Sequence, residues 1–245
     1  MLIGPQNSAV REELATRYRQ VRASITAAVA AAGRNEDCVT LLAVSKGQSA
    51  AAVRNLAQLG VEHFGENYLQ EALPKLESLS GMELTWHFIG HLQANKTRAV
   101  AERFAWVHGV DRLRIAERLA AQRPDGLPPL NVCIQLKMAD VDARSGASMS
   151  EVPKLVAEVA ALPNLRLRGL MCMLPEGLAP PQQLKRFAEV GDLQTRLNRS
   201  GAQLDTLSMG MSSDYAAAIA AGSTIVRIGT ALFGARNPEG GAPEP

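Results

Sequence analysis

Between residues 39 and 230 the chain alternates eight times between a short run of β-branched and aliphatic residues and a longer stretch with helical spacing. Such runs, bounded by turn residues and separated by amphipathic segments, are the pattern of repeated βα units on a parallel sheet. The strand candidates are 39–45, 62–65, 84–89, 106–110, 130–136, 165–170, 204–208 and 224–228. Helical segments fall near 49–59, 67–79, 95–103, 111–123, 150–161, 181–201 and 213–221, with a short one from 230. Eight units are the count of a (β/α)8 TIM barrel. A doubly wound open sheet would carry about six strands and a GxGxxG turn, and no such turn occurs.

One helical stretch, 8–33, has no strand before it. Ser8 is placed to cap it and Gly33 to end it, with Leu14, Tyr18, Val21, Ile25 and Val29 on one side. The expected organisation is a single barrel domain over 1–236 that includes this helix. The tail 237–245 is rich in Gly, Pro and Glu and is expected to be disordered.

Composition narrows the function classes. The 26 basic and 24 acidic residues are spread without long runs, giving a formal charge of +2 and no electrostatic footprint for nucleic acid or an anionic membrane. Cys38, Cys133 and Cys172 sit in apolar stretches without CxxC pairing, so they read as buried thiols of a reducing compartment, and no metal site is expected. The N-terminus lacks a basic segment followed by an apolar core, and no stretch approaches the roughly 18 apolar residues of a membrane span. A cytoplasmic location is expected.

In a barrel of this kind ligand groups come from the C-terminal ends of the strands and the loops that follow. Strand one ends Leu42-Ala43-Val44-Ser45-Lys46-Gly47. Alternation puts Leu42, Val44 and Lys46 on one face, so if Leu42 and Val44 fill the interior the Lys46 amine projects into the mouth. A partly desolvated lysine is a nucleophile toward aldehydes, although a strand-end lysine taken alone more often packs its stem and keeps its head in water.

A distant cluster changes that balance. Strand seven runs into Ser208-Met209-Gly210-Met211-Ser212 and strand eight into Arg227-Ile228-Gly229-Thr230. The loops after strands seven and eight, with the start of a short extra helix, form the recurrent phosphate site of the fold, and Ser208, Gly229 and Thr230 can donate there; ordinary helix caps are the alternative. Arg227 interrupts an apolar strand in phase with Ile225, and a buried guanidinium needs a partner. That partner is either a carboxylate from a neighbouring strand or the ring nitrogen of a pyridine cofactor. Asn67, at the end of strand two, can reach a ring hydroxyl, while Glu66 complements a helix dipole. His87 lies on apolar strand three, as a core histidine or as a site residue.

The segments 42–46, 63–68, 86–90, 168–171, 207–212 and 226–230 together resemble the pyridoxal phosphate homeostasis protein family, over about residues 12–236. The resemblance implies a barrel similar to the N-terminal domain of alanine racemase, with pyridoxal 5′-phosphate (PLP) held as a Schiff base on Lys46. It also implies Arg227 at the pyridine nitrogen and Ser208, Gly229 and Thr230 near the phosphate. The implied role is PLP homeostasis, with binding and delivery of the cofactor to apo PLP-dependent enzymes and no established turnover. Three positions depart from the commoner pattern: Gly47-Gln48 replaces Thr-Lys, His91 replaces Pro, and Arg144 stands where Lys is common. An arginine can hold a phosphate but cannot form a Schiff base, so a lysine relay through that loop is in doubt here.

Two other functions compete. An amino-acid racemase needs a second base on the opposite face of the substrate carbon, for which His87 or Tyr68 would have to serve. A Schiff-base aldolase would use Lys46 directly on a sugar phosphate. A monomer is expected, because the first helix covers the barrel and leaves no other long apolar face.

Overall fold

A computed structural model describes residues 5–138 and 146–234. Eight parallel strands close on themselves in the order β1 to β8. They are β1 (Thr40–Val44), β2 (His63–Glu66), β3 (Thr85–Phe88), β4 (Trp106–Val110), β5 (Leu130–Gln135), β6 (Leu165–Met171), β7 (Thr206–Ser208) and β8 (Ile225–Ile228). Closure is made by β1 against β8, with Leu42 opposite Arg227 and Ala43 opposite Ile228.

Around the barrel run α2 (Ala50–Ala57), α3 (Leu69–Ser78), α4 (Thr97–Arg103), α5 (Leu113–Gln122), α6 (Val152–Ala160), α7 (Pro180–Arg199), α8 (Tyr215–Ala220) and α9 (Thr230–Phe233), preceded by α1 (Pro5–Ala31). Each strand turns alternate residues outward onto the helices, and this outer layer is the larger core, including Phe64, Phe88, Val107, Ile134, Leu170 and Leu207. The inner layer is small: Leu42, Trp106, Cys133, Met171 and Ile225. Polar side chains occupy the rest of the interior described below.

Most strand bounds shift by one residue from the sequence reading, and two differences are larger. Helix α1 begins at Pro5, which puts Ser8 inside the helix and not at its cap; proline suits a first helical turn, where its missing N–H is not needed. Strand β7 begins at Thr206, two residues late. Asn198 at the end of α7 donates to Leu204 O and accepts from Leu204 N–H, at 2.9 and 2.8 Å, so that backbone is already used.

The apolar side of α1 is as expected, with Leu14, Val21, Ile25 and Val29 buried and Tyr18 half-buried. Polar contacts tie it to the end of the barrel: Arg34 donates to Ile219 O and Ser223 O, and Arg17 to Phe233 O at the end of α9. Cys133 and Cys172 are buried, whereas Cys38 is half-buried. Among the described residues no helix is long and apolar enough to cross a membrane. Arg144 and the tail 237–245 lie outside the described residues.

Candidate functional site

Lys46 stands two residues beyond Val44, half-buried, in phase with the inward-facing Leu42. Its neighbours on both sides are pinned. Ser45 is fully buried; its Oγ donates to Glu66 Oε1 at 2.6 Å and its carbonyl accepts from Lys75 Nζ at 2.7 Å. Gly47 N–H donates to Glu71 Oε2 at 2.8 Å. Glu71 and Lys75 are one turn apart on α3, so one helix face braces the backbone before and after the lysine. Gly47 has φ +69°, a left-handed turn conformation natural to glycine, and Gln48 N–H closes the turn onto Ser45 O. A threonine at that position would be strained in this turn.

Glu66 is therefore not a helix-dipole residue. It is fully buried between β2 and α3, ion-paired with Lys75 at 2.6 Å. Burial pushes its carboxyl above the usual range, and Lys75 and Ser45 act against that shift. Its Oε2 has no hydrogen-bond partner.

Asn67 follows β2 directly, half-buried in the bend that leads to α3. Its Oδ1 is buried and lacks a hydrogen-bond partner among the described residues. The backbone of Asn67 lies so close to Gly90 that a side chain at Gly90 would overlap Asn67 O. Tyr68 is 49% exposed, at the start of α3.

Arg227 is buried in β8, in phase with Ile225 as expected. Its Nη1 donates to Ser208 O and Ser208 Oγ at 2.6 and 2.9 Å, and its Nη2 to Cys172 O at 2.8 Å. No carboxylate is among these partners. Asp214 acts on it electrostatically, but the Asp214 Oδ1 accepts from Met211 N–H. The guanidinium is thus anchored by carbonyls and a hydroxyl, with its charge not neutralised by contact. Beyond it Gly229 packs on Val44, and Thr230 opens α9 exposed, where the first N–H groups have no partner within the helix.

Two expected site residues lie deeper. His87 is fully buried, stacked on Trp106 with ring centroids 5.2 Å apart and hydrogen-bonded to His63 and His108. Ser208 is also fully buried, with its hydroxyl between Arg227 and His108. Both lie beneath Arg227, with Ser208 in direct contact with its guanidinium. Sequence reading named neither His108 nor Lys75. It also passed over Lys137, which follows β5 in phase with the inward Cys133 and with Gln135. The inward phase of His63, His87 and His108 on three consecutive strands was the available signal for the histidines.

The closed barrel of eight parallel strands is the fold shared with the alanine racemase N-terminal domain. Residues 17–237 match the model of that domain, and the chain belongs to its family. Within the family it is similar to two proteins called pyridoxal phosphate homeostasis protein. It is 54% identical to that of Pseudomonas aeruginosa over 225 residues, covering 91% of this chain and 96% of the relative. It is 49% identical to that of Escherichia coli K12 over 236 residues, covering 92% and 97%. PipY of Synechococcus elongatus, solved with PLP bound, superposes with a TM-score of 0.75 at 36% identity, over 86% of this chain and all (100%) of that one. Alanine racemase from Corynebacterium glutamicum shares the fold, at TM-score 0.67 and 18% identity over 91% of this chain and 62% of that one.

Proposed function

We propose that the chain binds PLP at the barrel mouth and acts in PLP homeostasis, as a carrier or regulator of the cofactor. The observation that carries this reading is Arg227, a buried cation without a carboxylate partner among the described residues, on the strand that pairs with the one preceding Lys46. Asn67 Oδ1 is a buried acceptor that lacks a partner until a ligand hydroxyl supplies one. The residues present therefore fit the group. PLP brings an aldehyde that condenses with an amine and a pyridine ring that withdraws electrons.

Lys46 would hold the carbon end covalently, with its backbone braced by Glu71 and Lys75. Asn67 would accept from the ring hydroxyl. Arg227 would donate to the ring nitrogen, which keeps that nitrogen unprotonated and weakens the ring as an electron sink, favouring storage over turnover. Gly229 and Thr230 would bind the phosphate, with the Thr230 hydroxyl and the start of α9 as donors. Ser208 and His87 serve by supporting Arg227.

The named relatives and the PLP-bound neighbour support PLP over an aldolase substrate. The racemase reading is less supported, since one of its second-base candidates, His87, is fully buried in the interior. A cytoplasmic location, a monomeric state and delivery to apo PLP-dependent enzymes belong to the same proposal. The test is absorbance. Protein mixed with PLP and desalted should keep a visible band that Lys46→Ala abolishes, and a chain that stays colourless refutes the reading. Transfer to an apo PLP-dependent enzyme, faster than from free PLP at equal concentration, tests the carrier role.

A further inference from the structure

Below the mouth the barrel interior holds a second polar structure. His63 Nδ1 lies 3.0 Å from His87 Nε2, His87 Nδ1 lies 2.9 Å from His108 Nε2, and His108 Nδ1 lies 2.7 Å from Ser208 Oγ. Ser208 Oγ accepts from Arg227 Nη1 at 2.9 Å. The series starts at the first residue of β2, where His63 is half-buried, and ends at the guanidinium of β8. His87 and His108 are fully buried, and Trp106 stacks on His87.

Hydrogen-bond valence gives the series a direction. A guanidinium only donates, so one lone pair of Ser208 faces Arg227 and the hydroxyl proton goes to His108 Nδ1. His108 must then carry its proton on Nε2, which makes it the donor to His87 Nδ1. The same step repeats from His87 Nε2 to His63 Nδ1. At all three links Nδ1 accepts, from the Ser208 hydroxyl at the first and from Nε2–H at the other two. The opposite direction would place two donors on Ser208 Oγ and leave the Ser208 proton without an acceptor among the described residues. An imidazolium would break the series, because both of its nitrogens donate. Burial holds all three imidazoles below their usual range, His108 at about 3, where Arg227 adds to the effect.

We propose that His108, His87 and His63 are positioning residues for Arg227. Together with Ser208 they form one directed column that turns the Ser208 lone pair toward the guanidinium, fixes the guanidinium at the mouth, and keeps the Ser208 proton pointed away from the ligand. The ligand then meets a guanidinium donor in one orientation. Only this last consequence rests on the PLP reading.

Nitrogen NMR of the ligand-free chain with labelled histidine tests the column without any ligand. His87 and His108 should be neutral with the proton on Nε2, and His108 should remain so down to about pH 5, well below the usual histidine range. Ser208→Ala removes the group that sets the direction and should give His108 a mixture of tautomers. In the PLP-loaded protein, His108→Leu should weaken PLP binding about tenfold, the cost of one lost buried partner, and move the pH at which the visible band titrates. His108→Asn keeps an acceptor for Ser208 and should restore most of the affinity; it also carries the test if His108→Leu does not fold. A proton on Nδ1 of His108 in the natural chain overturns the column. So do unchanged tautomers in Ser208→Ala combined with unchanged affinity and spectrum in the His108 variants. Failure of the natural chain to take up PLP would refute the PLP reading, while the tautomers would still decide the column.

Discussion

The ammonium of Lys75 donates to the backbone carbonyl of Ser45 at 2.7 Å while also pairing with Glu66 at 2.6 Å. A buried ion pair on α3 and β2 thereby holds the residue next to Lys46. The backbone beside Lys46 is positioned by an ion pair buried between β2 and α3.

Lys75→Met leaves Glu66 buried with only the Ser45 hydroxyl as partner. Losing one half of a buried pair should cost about 3–5 kcal/mol of stability, measured by urea unfolding. Adding Glu66→Leu should recover part of the loss, since the orphaned carboxylate is then gone. A Lys75→Met chain as stable as the natural one would show that the pair does not brace this turn.

Acid should destabilise the fold through the histidine column. The three imidazoles have depressed pKa values in the folded state, so the unfolded chain takes up protons below the usual 6.5 while folded His108 resists until about 3. The stability this gives is present above 6.5 and is lost as pH falls toward 3. At pH 5 His108 alone should account for about 2 kcal/mol, with His87 acting in the same direction. Urea titrations at about pH 7.5 and pH 5 measure the difference, and His108→Leu should reduce it.

Gly169 should tolerate no side chain. A Cβ there would overlap Thr206 O, on the backbone of the adjoining strand β7, where nothing flexible can yield. Gly169→Ala should lose about 4 kcal/mol or more, or fail to fold, whereas Gly126→Ala, in open space, should stay within about 0.5 kcal/mol. Thermal unfolding of the two variants side by side reads the contrast.

The thiols should divide by burial. Cys133 and Cys172 are sealed, and burial pushes both up to about 12. At about pH 8, iodoacetamide should label Cys38 alone in the folded chain and all three after unfolding, as mass spectrometry of peptides will show. Rapid labelling of Cys172 in the folded chain would mean that the carbonyl anchoring Arg227 lies in a segment that opens.

The strands, the barrel and the inward phase of Leu42 and Arg227 were legible in the chain because they rest on local periodicity. Alternation places Leu42 with Lys46 and Ile225 with Arg227 whatever the rest of the molecule does. Where a side chain finds its partner is a different matter. Arg227 was read as facing either a carboxylate or a ring nitrogen, and the fold gives it the carbonyls of Ser208 and Cys172, from strand β7 and the end of β6. Glu66 was read as a dipole residue, and it is buried against Lys75.

Lys46 shows the division most clearly. Its place at the end of the first strand followed from the sequence by itself, through the two-residue repeat of a strand. What holds it there, Glu71 and Lys75 on one turn of α3, was decided only when the helix folded back onto the strand end. The histidine column is more remote still, since its links join residues 19 to 100 positions apart. Strand periodicity acts over a few residues and is written locally, whereas hydrogen-bond direction across a barrel depends on closure, which brings β2, β3 and β4 opposite β7 and β8.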